Sequence, residues 1–248
     1  ADGEELASAS YFMNAFEPGS TAKPLTAAAL LELGRVADGD FVTGENGEWH
    51  LAGRPRPVTD VHPVEGPISL ARAIEKSSNV AMGKFSLRLK PAEQFDFLRS
   101  FGLATPTGIE FPSEAPGSLP APNRWSPALE GVSAAMGYAI EVTPLQLAAA
   151  YGAIANDGIL MAPALVREVR DPSGAVRYRH QATPLRRVIS SEVAAKVRGF
   201  LRDASGTTGT GIRAQVKGTV LGKTGTSRLV EDGRYTNRHS AFFAAIYP

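Results

Sequence analysis

The chain has 248 residues, 43% of them apolar and 21% charged, enough to bury a substantial core as one large domain or two small ones. Its 26 Lys and Arg against 25 Asp and Glu leave no charge excess for nucleic acid, and Arg54–Arg56 and Arg186–Arg187 read as solvated surface. The absence of cysteine excludes disulfides and thiolate chemistry, and no apolar run approaches the roughly 18 residues of a membrane span.

In chain order, the opening Ala-Asp-Gly-Glu-Glu is not a signal peptide, so any export or anchoring segment is expected to be missing here. Residues 4–11 are expected as a short strand. Glu17-Pro18-Gly19 marks a turn, and a helix follows from Ser20 with Leu25, Ala28, Ala29, Leu31 and Leu33 on its apolar face. Pro24 falls in its first turn, where a missing N–H costs little, and Gly34 suits its end. Residues 39–67 read as loops and small hairpins. Helices are expected from Ser69 toward Lys76, from Asn79 through Leu89, and from Ala92 to Phe101.

Six prolines between 104 and 127 predict irregular structure. Thr143-Pro144 opens an apolar helix ended by Asn156-Asp157-Gly158, and Leu165–Val169 with Val176–Tyr178 forms a hairpin around Asp171-Pro172-Ser173-Gly174. Ser191–Asp203 is amphipathic. Val216–Lys223 and Ala241–Tyr247 alternate like strands, with Glu231-Asp232-Gly233-Arg234 as a turn between them. Helices in the middle and strands near both ends predict an α+β fold rather than a doubly wound parallel sheet.

Three short motifs carry chemistry. Ser20-Thr21-Ala22-Lys23 is the only S-x-x-K in the chain, and residues i and i+3 share a helix face, so hydroxyl and amine can meet. A helix start adds free N–H donors and a positive dipole end, which favour an activated Ser20 and an unprotonated Lys23. Ser77-Ser78-Asn79, between two helices, can relay a proton and hydrogen-bond a substrate amide. Lys223-Thr224-Gly225-Thr226 follows an apolar strand-like run. There Lys223 and the threonines can hold a carboxylate, Gly225 permits close approach, and a strand edge can receive an extended peptide. Taken singly, each has a plainer reading: a surface Ser–Lys pair with Ser20 as a cap, a helix N-cap, and a strand ending in a turn. The ordered set is specific, because S-x-x-K, Ser-x-Asn and K-T-G together mark the penicillin-binding proteins and class A β-lactamases.

Glu17–Pro24, Lys76–Val80, Gly137-Tyr138 with Val142–Ala148, and Gly222–Arg228 with Asp232–Tyr235 resemble the class B penicillin-binding proteins, the last pair most like the cell-division member. The resemblance covers residues 17–248. It implies an antiparallel sheet flanked by helices, with the active site at one sheet edge. It also implies a serine acyl-transferase that cross-links peptidoglycan stem peptides ending in D-Ala-D-Ala, is acylated by β-lactams, and needs no cofactor or metal. Carried over by motif, Ser20 is the nucleophile, Lys23 its basic partner, Ser77 the proton shuttle and Asn79 the orienter of the substrate amide. Lys223, Thr224, Gly225 and Thr226 form the carboxylate site, and the Ser20 and Thr226 N–H groups the oxyanion hole. Which lysine is the base at each step stays open. The implied setting is the periplasmic or outer face of the bacterial inner membrane, beside other cell-wall synthesis proteins, with the membrane reached only through a segment missing here. Residues 1–248 are expected to be one transpeptidase domain, incomplete at both ends and of doubtful competence, without an N-terminal anchor or accessory domain.

Rival readings fare less well. A phosphate loop ending at Gly222-Lys223-Thr224 would need glycine at position 217, which is Lys217, while Gly218 falls one residue late. A serine β-lactamase of class A needs a glutamate to activate water, with Glu130 and Glu141 as candidates. A non-catalytic penicillin sensor or scaffold would use the same serine. His50, His62, His180 and His239 lack metal-ligand spacing, Trp49 and Trp125 read as packing, and Ser205–Gly211 as a flexible loop before the Lys223 strand.

Overall fold

The structure is a computed structural model and describes residues 10–111, 113–214, 219–231 and 234–247. Helix α1, Ser10–Met13, lies where the end of a strand was expected; residues 4–9 are outside the described set. A tight 3-10 turn, Gly19–Ala22, then leads into α2, Lys23–Glu32. Gly34, at φ +61°, closes α2 in the left-handed conformation that a side chain would resist. Lys23 through Leu30 are all buried, so α2 is the central helix of the molecule.

Next come the short strands β1 (Phe41–Thr43), β2 (Glu48–Trp49), β3 (Val58–Thr59) and β4 (Pro67–Ser69), paired antiparallel as β1–β4 and β2–β3. Helices α3 (Leu70–Glu75), α4 (Asn79–Ser86) and α5 (Pro91–Ser100) follow close to their expected positions, with α4 ending three residues before Leu89. Ser69 and Ser78 cap α3 and α4 by accepting the N–H groups of Arg72 and Ala81. The proline-rich stretch is largely irregular, but Pro127–Gly131 forms a π turn running into α6, Val132–Ala135, which the proline pattern hid.

Helix α7, Pro144–Ala155, starts with a capping box between Thr143 and Gln146. Strand β5 (Ile159–Met161) pairs with β8 (Pro184–Arg187), enclosing the expected hairpin of β6 (Glu168–Arg170) and β7 (Val176–Arg179). Helix α8, Ser191–Ser205, precedes the two long strands β9 (Leu221–Glu231) and β10 (Arg234–Ile246), which pair antiparallel. Residues 216–218 and 232–233, parts of the expected strand and turn, lie outside the described set.

The fold is α+β, with β9–β10 the principal sheet element among the described residues. Its register puts Leu221, Lys223 and Gly225 opposite Ile246, Ala244 and Phe242 on one face, which packs on α7 and α8. Leu147, Tyr151 and Ile154 of α7 and Val197 and Leu201 of α8 fill that core with Leu25 of α2. A second core joins Leu30 of α2 to Ile74, Met82 and Phe85 of α3 and α4. A fully buried aliphatic or aromatic side chain contributes about 1.5–3 kcal/mol. Helix α2 therefore belongs to both cores, and whatever stands at its N-terminus is held rigidly.

Candidate active site

Ser20 sits in the 3-10 turn, held from three directions. The Gly19 N–H donates to Gly137 O at 3.0 Å, and Tyr151 of α7 donates its hydroxyl to Thr21 O at 2.9 Å. Thr21 closes the turn by donating its hydroxyl to Pro18 O at 2.6 Å. The packing leaves no room for side chains. A Cβ on Gly137, at φ +84°, would lie 1.9 Å from Gly19 O, and one on Gly225 would meet Thr21 Cγ2 at 2.8 Å and Pro18 O at 2.9 Å.

Ser77 ends α3 in the left-handed region, at φ 57°, and this bend directs both of its oxygens at Lys23. The Lys23 amine donates to Ser77 O at 2.6 Å and Asn79 Oδ1 at 2.7 Å, with Ser77 Oγ at 3.3 Å. Asn79 is also pinned from behind, its amide donating to Thr59 O at 2.7 Å.

Lys223 to Thr226 lie within β9, not at its end as the plainer reading had it. Antiparallel strands alternate the direction of their backbone groups. Gly222 turns its N–H away from β10 to Ser205 Oγ of α8, at 2.7 Å, so Thr224 and Thr226 also face outward from the ribbon. Thr224 O accepts from the Lys223 amine at 3.1 Å, and Thr226 O from the Tyr138 hydroxyl at 3.4 Å. The outward edge of β9 borders a cleft of about 290 Å³ whose walls include Ser20, Ser77, Asn79, Thr224, Gly225 and Thr226. Lys23 and Lys223 lie beneath its floor, hydrogen-bonded to lining residues and inaccessible to water. All eight residues singled out by motif thus gather at one place.

Burial is the leading influence on both lysines. It holds the Lys23 amine well below the usual lysine range, helped by the Lys223 charge and opposed by Asp60. Burial alone brings Lys223 down to about 7. An amine deprived of water, with a second cation beside it, gives up its proton more readily than an ordinary lysine and so can serve as a base. None of the described residues lining the cleft is Asp or Glu. Glu130 instead accepts the Ser126 N–H at 2.8 Å and caps the π turn, so it is not placed to activate a water in the cleft.

The expected direct contact between the Ser20 hydroxyl and the Lys23 amine is not among the hydrogen bonds of the described residues; the amine is turned to the Ser77–Asn79 side. Sequence reading missed Asp60. Its carboxylate accepts the Ser78 hydroxyl at 2.7 Å and the N–H groups of Asn79 and Val80 at 2.5 and 3.0 Å, anchoring the start of α4. An acidic group at a helix N-terminus is favoured, but nothing local announces a cap that arrives from the loop after β3. Tyr151 falls within the apolar helix expected after Thr143-Pro144, where nothing in the pattern marks its hydroxyl for the site. Among the described residues no three His, Cys, Asp or Glu side chains gather as a metal cage, and His62 and His239 border the cleft separately.

Residues 3–248 match the penicillin-binding protein transpeptidase domain. The chain is 32% identical to the probable peptidoglycan D,D-transpeptidase PenA of Neisseria meningitidis serogroup A, over 94% of the chain and 37% of PenA. It is 31% identical to the peptidoglycan D,D-transpeptidase FtsI of Escherichia coli K12, with the same two coverages. It therefore spans little more than a third of either relative. Among solved structures, the apo transpeptidase domain of penicillin-binding protein 3 from Burkholderia pseudomallei is similar at a TM-score of 0.85 and 31% identity, covering 96% of this chain and 69% of that one. Penicillin-binding protein 3 of Mycobacterium tuberculosis, solved in complex with aztreonam, is similar at a TM-score of 0.82 and 31% identity, covering 96% and 54%. Three motifs closing on one cleft, a full-length family match and this structural likeness place the chain in the family of penicillin-binding protein transpeptidase domains, on its class B branch.

Proposed function

We propose that this chain is the acyl-transfer module of a class B penicillin-binding protein, forming an acyl-enzyme on Ser20 from a stem peptide ending in D-Ala-D-Ala. The observation that carries the reading is the desolvated Lys23 amine held against Ser77 and Asn79 beneath the cleft that Ser20 lines. Ser20 Oγ attacks the penultimate D-Ala carbonyl while its proton passes to Lys23 Nζ. The carbonyl oxygen, becoming anionic, accepts the N–H groups of Ser20 and Thr226. The C–N bond to the last D-Ala then breaks, and Ser77 hands that amine a proton supplied through Lys23. Asn79 holds the substrate amide, and Lys223, Thr224 and Thr226 hold the terminal carboxylate. An amine of a second stem peptide repeats the steps in reverse, losing a proton, forming the cross-link amide and releasing Ser20.

β-Lactams enter by the first half-reaction. Among the described residues no carboxylate lines the cleft, so the glutamate-activated water of a class A β-lactamase has no counterpart there, which favours a lasting acyl-enzyme. The substrate lies outside the cytoplasmic membrane, so the site works on the extracytoplasmic face, in company with other cell-wall synthesis proteins. The likeness to PenA and FtsI leans toward septal synthesis. Intact mass after exposure to a penicillin tests the reading. One adduct per chain that persists for many minutes, and is absent from Ser20→Ala, is expected. No adduct, or steady hydrolysis of nitrocefin, would overturn it.

A further inference from the structure

The Ser205–Gly211 strap between α8 and β9 has a place in the site that its loop-like sequence does not suggest. It bridges the two walls of the cleft. On one side Thr208 donates its hydroxyl to Glu75 Oε1 at 2.7 Å, and Lys76, next to Ser77, donates its amine to Thr208 O at 2.6 Å. Glu75 and Lys76 are themselves paired at 3.0 Å. On the other side Thr210 Oγ1 lies 2.8 Å from Thr224 Oγ1 and 3.5 Å from the Lys223 amine. The strap is tightly wound: a Cβ on Gly209 would lie 2.1 Å from Ala204 O, and the Gly211 N–H donates to Ala204 O at 2.8 Å.

We propose that Thr210 is a positioning residue that sets the direction of the Thr224 hydroxyl, so that Thr224 offers a hydrogen to an anionic group in the cleft. The argument is a count of hydrogens. A threonine hydroxyl has one hydrogen to donate and two lone pairs to accept with. In its protonated form, the one that meets an anion, the Lys223 ammonium has three hydrogens and no lone pair, so it donates both to Thr224 O and toward Thr210. Thr210, having accepted, donates its single hydrogen to Thr224 Oγ1. Thr224, having accepted in turn, has its own hydrogen left for the cleft, which both threonines line. The reverse polarity would present a lone pair to the cleft and repel a carboxylate. The tie to Glu75 and Lys76 fixes the strap, and therefore this relay, relative to Ser77.

The proposal rests on the acyl-transfer reading, because the anionic group is the carboxylate of the acyl donor. Its test measures, in the full-length protein, second-order acylation of Ser20 by benzylpenicillin and by the methyl ester of benzylpenicillin, which lacks that charge. Thr210→Val keeps the shape and removes the relay; Thr210→Ser keeps the relay. The preference for the acid over the ester is expected to fall on the order of tenfold in Thr210→Val, as loss of a hydrogen bond to a charged group implies, and to survive in Thr210→Ser. An undiminished preference in Thr210→Val, or equal losses on both compounds, would overturn the positioning role while leaving Ser20 acylation standing. A wild-type protein acylated by neither compound would instead bring down the acyl-transfer reading and this one with it.

Discussion

Two lysines share the floor of the cleft, and their environments differ enough to assign them different work. Lys23 has three oxygen contacts, a neighbouring cation and a carboxylate, Asp60, that opposes the effect of burial. Lys223 has fewer partners and is brought down to about 7 by burial alone. Acylation that uses Lys23 as base requires its neutral form, so the rate rises with pH through the Lys23 pKa. Asp60 raises that pKa, and Asp60→Asn removes the charge at nearly constant shape. The acid limb of the acylation-rate profile is then expected to move to lower pH, read by labelled-penicillin kinetics across a pH series. A midpoint that stays or moves upward would exclude Asp60 as an electrostatic partner of Lys23.

At the scale of elements, three segments far apart in sequence meet backbone to backbone. The turn Gly19–Ala22 is clamped between the Gly137 segment and β9, and glycine is the means of contact on both sides. Gly137→Ala would place its Cβ on Gly19 O in a left-handed conformation. The backbone term alone is roughly 1–3 kcal/mol, and the collision must in addition displace the turn that carries Ser20. Both the urea midpoint and acylation are expected to drop. Gly34→Ala makes the control, since its φ is also positive but nothing lies within 4 Å of the added carbon. It should lower stability by about 1 kcal/mol, seen as a smaller drop in the urea midpoint, and leave acylation unchanged. Equal effects of the two substitutions on acylation would refute the clamp.

Across the whole molecule, burying Lys223 for function is expected to cost stability. Its folded pKa of about 7 lies below the ordinary lysine value of 10.5, so from pH 7 to that value the unfolded chain binds more protons than the folded one. Stability from this group accordingly rises with pH across that window, and the cost is fully present below it. Lys23 acts with the same sign. Lys223→Met is expected to be more stable than wild type at pH 7 by about 1–3 kcal/mol, and to show a shallower rise of Tm between pH 7 and 9.5. Its discrimination in favour of carboxylate-bearing β-lactams should be lost. A Met variant less stable than wild type at pH 7 would contradict the desolvation argument.

Much of this protein was readable in its sequence because the signals are local. Pro24, Gly34, the Thr143–Gln146 box and the serines before α3 and α4 punctuate helices within a few residues of where they stand. The three motifs likewise carry their residue types in a fixed order. Tertiary structure decided what distance along the chain conceals: that the Lys23 amine turns to Ser77 and Asn79, that Asp60 caps α4 from the loop after β3, and that Tyr151 and Gly137 hold the turn that carries Ser20. Hydrogen bonding and desolvation depend on which atoms packing brings within about 3 Å, and no periodicity of side chains encodes that.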